Sequence, residues 1–125
     1  MTPLNRVLGL GSAKSGAEHW WLQRVTAAAL AALGLWLAIA AASLPDYAFA
    51  TVIEWVRHPT TAIMLFLIVI TASYHSYLGV RVVFEDYVHG AAMKTVSLVL
   101  SFFAHFAVAV IGVYSVAKIA FGSPV

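Results

Sequence analysis

Along the chain the hydrophobic positions gather into three long blocks, about 25–44, 60–84 and 95–121, divided by short stretches where proline, glycine and charge collect. Each block reaches the roughly 20 residues that a helix needs to cross ~30 Å of hydrocarbon. The pattern predicts an all-α membrane protein: one membrane-anchor domain, 1–125, with an N-terminal segment 1–24 followed by three transmembrane helices. The first block is expected to stay as a span and not to be a cleaved signal peptide. Its apolar run is longer than an h-region, some two dozen residues precede it, and Asp46 follows in place of a small-residue cleavage site. Leu44-Pro45-Asp46-Tyr47 reads as a helix stop. His58-Pro59 reads as a start, because proline suits the first helical turn and disfavours helix in the residue before it. Between them, Ala48 to Arg57 places Phe49, Val52, Ile53, Trp55 and Val56 on one helical side, with Glu54 and Arg57 elsewhere, as in a short interfacial helix.

Composition makes lipid the solvent for most of the chain. It is 62% hydrophobic and 10% charged, against roughly 25% charged for a soluble domain. A mean hydropathy of +0.92 leaves too little polar surface to cover a globule of 13.4 kDa in water. With no cysteine, disulfides, thiolate zinc sites, iron–sulfur ligation and covalent c-type haem are all excluded, so any metal rests on histidine or carboxylate. A formal charge of +2 is too weak and scattered for nucleic acid.

The basic residues bear on orientation instead. Arg6, Lys14 and Arg24 precede the first span and Arg81 and Lys94 flank the second loop, whereas Arg57 and Lys118 lie on the other side. This asymmetry predicts a cytoplasmic N-terminus and a periplasmic C-terminus in a bacterial inner membrane. Trp20, Trp21 and Trp55 sit where interfacial aromatic anchors belong.

Span one carries Ala27, Ala28, Ala31, Ala32 and Gly34, small residues at a spacing that lets another helix come close. Three helices enclose little volume and leave no extramembrane domain for a substrate, so a subunit of a larger assembly is expected. Gly9 to Gly16 reads as a flexible stretch; Ala13-Lys14-Ser15 inside it fails as a phosphate loop, because alanine stands where the glycine is required.

An ionisable group inside a span is costly and is treated as a functional-site hypothesis. His75 and His105 qualify by depth: one lies eleven residues before Asp86 and the other eleven after Lys94, about 16 Å along a helix in each case. A neutral imidazole at that depth can ligate haem iron through one nitrogen while a neighbouring acceptor holds the other. The plain structural reading is a histidine hydrogen-bonded to the next helix. Gly79 follows His75 at i+4 and removes a side chain where a flat macrocycle would lie, and His105 has Phe102 and Ala109 on its face. The same eleven-residue spacing brings Asp86 to within ~20° of His75 around the axis. Tyr87, next to it at the membrane edge, can donate to a carbonyl oxygen while Asp86 orients the phenol or exchanges protons with water. Arg24, at the mouth of span one, suits a carboxylate or a haem propionate, or simply snorkels. Arg81 reads as a snorkelling arginine, and His19, His58 and His89 as solvated interfacial histidines.

Taken together, His75-Ser76-Tyr77-Leu78-Gly79 followed by Asp86-Tyr87-Val88 resembles the H-x-x-x-G…D-Y-V block of the hydrophobic membrane anchor D subunits of succinate dehydrogenase, respiratory complex II. His19-Trp20-Trp21-Leu22-Gln23-Arg24-Val25-Thr26-Ala27 is similar to the R-x-T-A segment of that family in its alphaproteobacterial form. The resemblance covers nearly the whole chain. It implies that His75 is one axial ligand of a haem b shared with a partner cytochrome b subunit, that Tyr87 hydrogen-bonds ubiquinone with support from Asp86, and that Arg24 lies near the haem propionates. It also implies an electron-transport role in the tricarboxylic acid cycle: two electrons pass from succinate through flavoprotein and iron–sulfur subunits to ubiquinone. This chain would not itself oxidise succinate. The stretch 9–16 would lie against the iron–sulfur subunit. His105 falls outside the motif and becomes a packed, hydrogen-bonded histidine.

Two other readings stand beside this one. The chain is then either a cofactor-free structural anchor, or a self-contained b-type cytochrome that ligates haem through both His75 and His105.

Overall fold

The computed structural model describes residues 13–122. These form four helices and no strand: α1 Ala13–Ala42, α2 Phe49–Arg57, α3 Pro59–Tyr87 and α4 Ala91–Phe121. Gly16–Ala42 of α1 and the whole of α3 and α4 are long and apolar enough to cross a membrane. The all-helical, three-span architecture expected from the hydrophobic pattern is the one found. Arg6 and residues 9–12 of the Gly/Ser/Ala stretch lie outside the described residues.

One boundary differs from expectation in a way that matters for the site. The first helix does not wait for the apolar run at Val25 but begins at Ala13, so residues 13–16 of the supposedly flexible stretch are already helical. No proline interrupts 13–25, and helix once started propagates through polar residues at little cost. His19, Gln23 and Arg24 therefore stand on a continuous helix with the apolar span.

The expected stop holds. Beyond Ala42 the Ser43 hydroxyl donates to the Ile39 carbonyl at 2.7 Å and the Leu44 amide donates to the Ala41 carbonyl at 3.2 Å. Pro45, which has no N–H, cannot continue the helix. Asp46 then organises the turn into α2. Its carboxylate accepts from the Ala48 amide at 3.0 Å, and hydrogen bonds from the Thr51 hydroxyl and that amide hold its pKa below the ordinary carboxylate value.

α2 is the one strongly two-sided helix, as its sequence predicted. Val56 is buried and Trp55 stacks on Trp36 of α1 with ring centres 6.3 Å apart and an interplanar angle of 16°. Phe49, assigned by periodicity to the same side, is instead 74% exposed. It is the first residue of a nine-residue helix, and no turn precedes it to hold it against the bundle. Arg57 Nε donates to the Ile119 carbonyl at 3.4 Å and ties α2 to the last turn of α4. His58, extended at φ −63° and ψ 127°, caps the start of α3 with Pro59 in the first turn, as expected.

α3 is the central helix: α1 and α4 each pack on it, with no close backbone approach to one another among the described residues. The α3–α4 seam is close. A Cβ placed on Gly112 would lie 2.6 Å from Val69 Cγ1, so only glycine fits there. Among the described residues the buried side chains are few, and three of them, Thr61, Ser73 and Ser101, are small and polar, as suits helices brought together by packing in lipid. Large apolar side chains such as Leu35, Ile39, Leu100, Phe103 and Ile111 face outward, where lipid or other helices cover them.

Candidate functional site

His75 projects from the middle of α3 toward α1. Its Nδ1 lies 2.8 Å from the Thr26 hydroxyl, and its Nε2 lies 3.4 Å from the Gln23 side-chain amide nitrogen. The Thr26 hydroxyl donates in turn to the Leu22 carbonyl at 2.8 Å. Around this cluster the two helices leave a groove of about 500 Å³, lined by Gly16, His19, Trp20, Gln23, Arg24, Ala27, His75, Gly79 and Val82. Gly79 provides a bare wall one turn from His75. A Cβ there would stand in ordinary van der Waals contact with Gln23 Nε2 at 3.7 Å, so the wall is flat and the Gln23 side chain lies against it.

Three of the residues singled out from the sequence, His75, Gly79 and Arg24, thus face one groove. The Arg24 guanidinium sits 5.5 Å from the centre of the Trp20 ring, a cation–π contact that holds it at the groove mouth. Two polar atoms in the wall, His19 Nε2 and Gln23 Oε1, are buried with no hydrogen-bond partner. Such orphaned atoms are costly unless a bound group satisfies them. His19 was expected to be solvated and is instead half-buried in this wall, whereas His58 and His89 are exposed as expected.

Gln23 and Thr26 were not foreseen. With His19 they recur at i, i+4 and i+7 on one face of α1, a polar stripe that runs from its polar first turns into the apolar span. That periodicity was the available signal, obscured by starting the span at Val25.

Asp86 and Tyr87 do not line the groove. The helix does persist to Tyr87, as the eleven-residue spacing requires, but Tyr87 is its last residue and is 78% exposed, and Asp86 beside it is exposed too. A 29-residue helix exceeds the ~20 residues needed to span, which carries this pair to the membrane edge. Arg81 pairs with Glu85 at 2.7 Å, and Lys94 Nζ donates to the Glu85 carbonyl at 2.8 Å, tying the end of α3 to α4.

His105 occupies the opposite seam. Its Nδ1 donates to the Ser101 carbonyl at 2.7 Å, so Nε2 carries the lone pair and accepts from the Ser76 hydroxyl at 3.1 Å. Both nitrogens are used. It lines a separate, smaller cavity of about 180 Å³ with Tyr77, Phe102 and Phe106, and the structure does not bring it to the groove of His75.

Comparison with known proteins identifies the setting. Residues 1–116 match the family described as succinate dehydrogenase/fumarate reductase transmembrane subunit. The chain belongs to that family. It is 30% identical over 123 residues to the succinate dehydrogenase hydrophobic membrane anchor subunit of Paracoccus denitrificans, a match covering 98% of this chain and 95% of that protein. It is 42% identical over 78 residues to the subunit of the same name from Rickettsia bellii, covering 62% of each. For the Rickettsia conorii subunit the identity is 34% over 91 residues, 72% of each. No solved structure matches. The chain is a succinate dehydrogenase membrane anchor subunit of the alphaproteobacterial type, a multi-pass protein of the bacterial inner membrane.

Proposed function

We propose that this anchor contributes one half of a haem b site through His75 and one wall of a ubiquinone site through Tyr87 and Asp86. In this reading, flavoprotein and iron–sulfur subunits deliver the electrons and a partner cytochrome b subunit completes the haem site. The observation that carries the haem half of this reading is the α1–α3 groove, where a mid-membrane histidine stands beside a glycine, an arginine and two unpartnered buried polar atoms. The fit to haem is chemical. His75 offers a neutral nitrogen, Gly79 leaves room for a flat ring, and Arg24 with the orphaned His19 Nε2 suits carboxylate side arms. Bound there, the haem supplies a one-electron carrier inside the membrane.

The remaining face of α1 supports a partner helix. Ala28, Ala31, Ala32 and Gly34 are exposed and line no part of the groove, so most of the small-residue face is not used among the described residues. A partner subunit on that side would supply the remaining protein contact to the haem, and His105, with both nitrogens hydrogen-bonded, is not needed for it.

Succinate oxidation releases two electrons and two protons, and reducing a quinone to a quinol consumes the same number. At the membrane edge the Tyr87 hydroxyl donates a hydrogen bond to a quinone carbonyl oxygen. Asp86, exposed at the same helix end, exchanges protons with cytoplasmic water and passes one to that oxygen, while the second proton reaches the other carbonyl oxygen from water. The orientation, with N-terminus and the α3–α4 loop cytoplasmic, rests on the distribution of Lys and Arg. In the purified complex Tyr87→Phe is expected to lower succinate:quinone reductase activity about tenfold, the value of one hydrogen bond made at the reacting oxygen. Succinate oxidation by an artificial acceptor stays intact. Unchanged quinone reduction removes Tyr87 from the site.

A further inference from the structure

The polar contacts of His75 determine which of its nitrogens carries the proton. A threonine hydroxyl has one hydrogen and two lone pairs. That of Thr26 spends its hydrogen on the carbonyls of its own helix, at 2.8 Å to Leu22 and 3.2 Å to Gln23. Toward His75 Nδ1, 2.8 Å away, the same oxygen can therefore only accept. Nδ1 carries the proton and Nε2 the lone pair. The second contact agrees with this assignment, since the Gln23 amide nitrogen is a donor only and lies 3.4 Å from Nε2. The two contacts differ in strength. The threonine bond is short, whereas 3.4 Å is a long bond that a better partner for the lone pair displaces.

We propose that Thr26 is a positioning residue for the haem site, its hydroxyl fixing His75 in the Nδ1–H tautomer so that Nε2 presents its lone pair to the α1–α3 groove. The proposal rests on the haem reading above. The hydroxyl sits on a different helix from the histidine, so it also fixes the rotation of the imidazole relative to α1 and with it the groove wall. Accepting from Nδ1–H makes the imidazole a more basic ligand, which favours ferric over ferrous iron.

The test compares haem content and haem midpoint potential in the purified complex for wild type and Thr26→Ser, Thr26→Val and Thr26→Ala. Valine keeps the volume of threonine without the hydroxyl. Alanine also lacks it, but is smaller and the strongest helix former, so one variant remains informative if the other misassembles. Thr26→Ser is expected to match wild type. Both hydroxyl-free variants are expected to hold haem roughly tenfold more weakly. Their midpoint potential rises, by about 59 mV for each tenfold loss of preference for ferric iron. If His75→Leu abolishes the haem while Thr26→Val and Thr26→Ala keep wild-type content and potential, the positioning role is overturned and the haem reading stands. If His75→Leu itself leaves haem unchanged, the haem reading is overturned and the role of Thr26 with it.

Discussion

The two seams of α3 make a controlled comparison, because each holds a half-buried histidine at similar depth in the same tautomer. On the α4 side every polar atom of His105 is answered from within the chain, by the Ser101 carbonyl and the Ser76 hydroxyl. Gly112 against Val69 brings the two helices close, and Tyr77 and Phe102, packed edge-on, line only a small cavity of about 180 Å³ beside it. On the α1 side Nδ1 of His75 is held at 2.8 Å, but Nε2 has only a 3.4 Å contact. The wall there carries two buried atoms without partners and opens into a groove of about 500 Å³. The same residue type is thus structural in one seam and available in the other. What separates them is how much of the imidazole's hydrogen-bonding capacity the fold uses, and residue identity and depth are common to both.

Substitutions in the α3–α4 seam should therefore cost stability and leave haem alone. The largest effect is expected from Gly112→Val, whose side chain meets Val69 across the tightest approach of α3 and α4. Overpacking of this kind costs about 1–3 kcal/mol, read as earlier thermal dissociation of the detergent-solubilised complex. His105→Leu removes two hydrogen bonds and leaves the Ser76 hydroxyl unpaired, for a smaller loss of about 1–2 kcal/mol. Its reduced haem spectrum is expected to be that of wild type. A lost haem band in His105→Leu would erase the contrast between the seams and favour a cytochrome using both histidines. Ser76→Ala, which loses one interhelical bond, is the mildest at about 0.6 kcal/mol, the usual worth of such a bond in lipid.

Much of this was legible in the sequence because the bilayer leaves few choices. Three apolar blocks of sufficient length, the Leu44-Pro45-Asp46 stop and the His58-Pro59 start define the spans, and the structure follows them. His75, Gly79 and Arg24 were legible as chemistry, since charge and imidazole are expensive in lipid and a bare glycine one turn from a histidine is a local fact. Hydropathy could not reveal that α1 begins at Ala13, because it records the apolar run and is blind to helix that continues into polar residues. The helical placement of His19 and Gln23 was lost with those turns. Nor does periodicity say which helix faces which. That Thr26 meets Nδ1 and Ser76 meets His105 depends on helix rotation, which packing decides. Asp86 and Tyr87 are the opposite case: their helical phase relative to His75 follows from spacing on an unbroken helix, while the groove that ends at Val82 had to be seen.

The central claim, that the open α1–α3 seam holds haem through His75, is tested most directly by the dithionite-reduced minus oxidised spectrum of the purified complex carrying His75→Leu, beside wild type. Wild type is expected to show a low-spin b-type band that the variant lacks, with its succinate oxidation by an artificial acceptor intact. A b-type band of wild-type intensity in the His75→Leu complex, or none in wild type, would contradict the account.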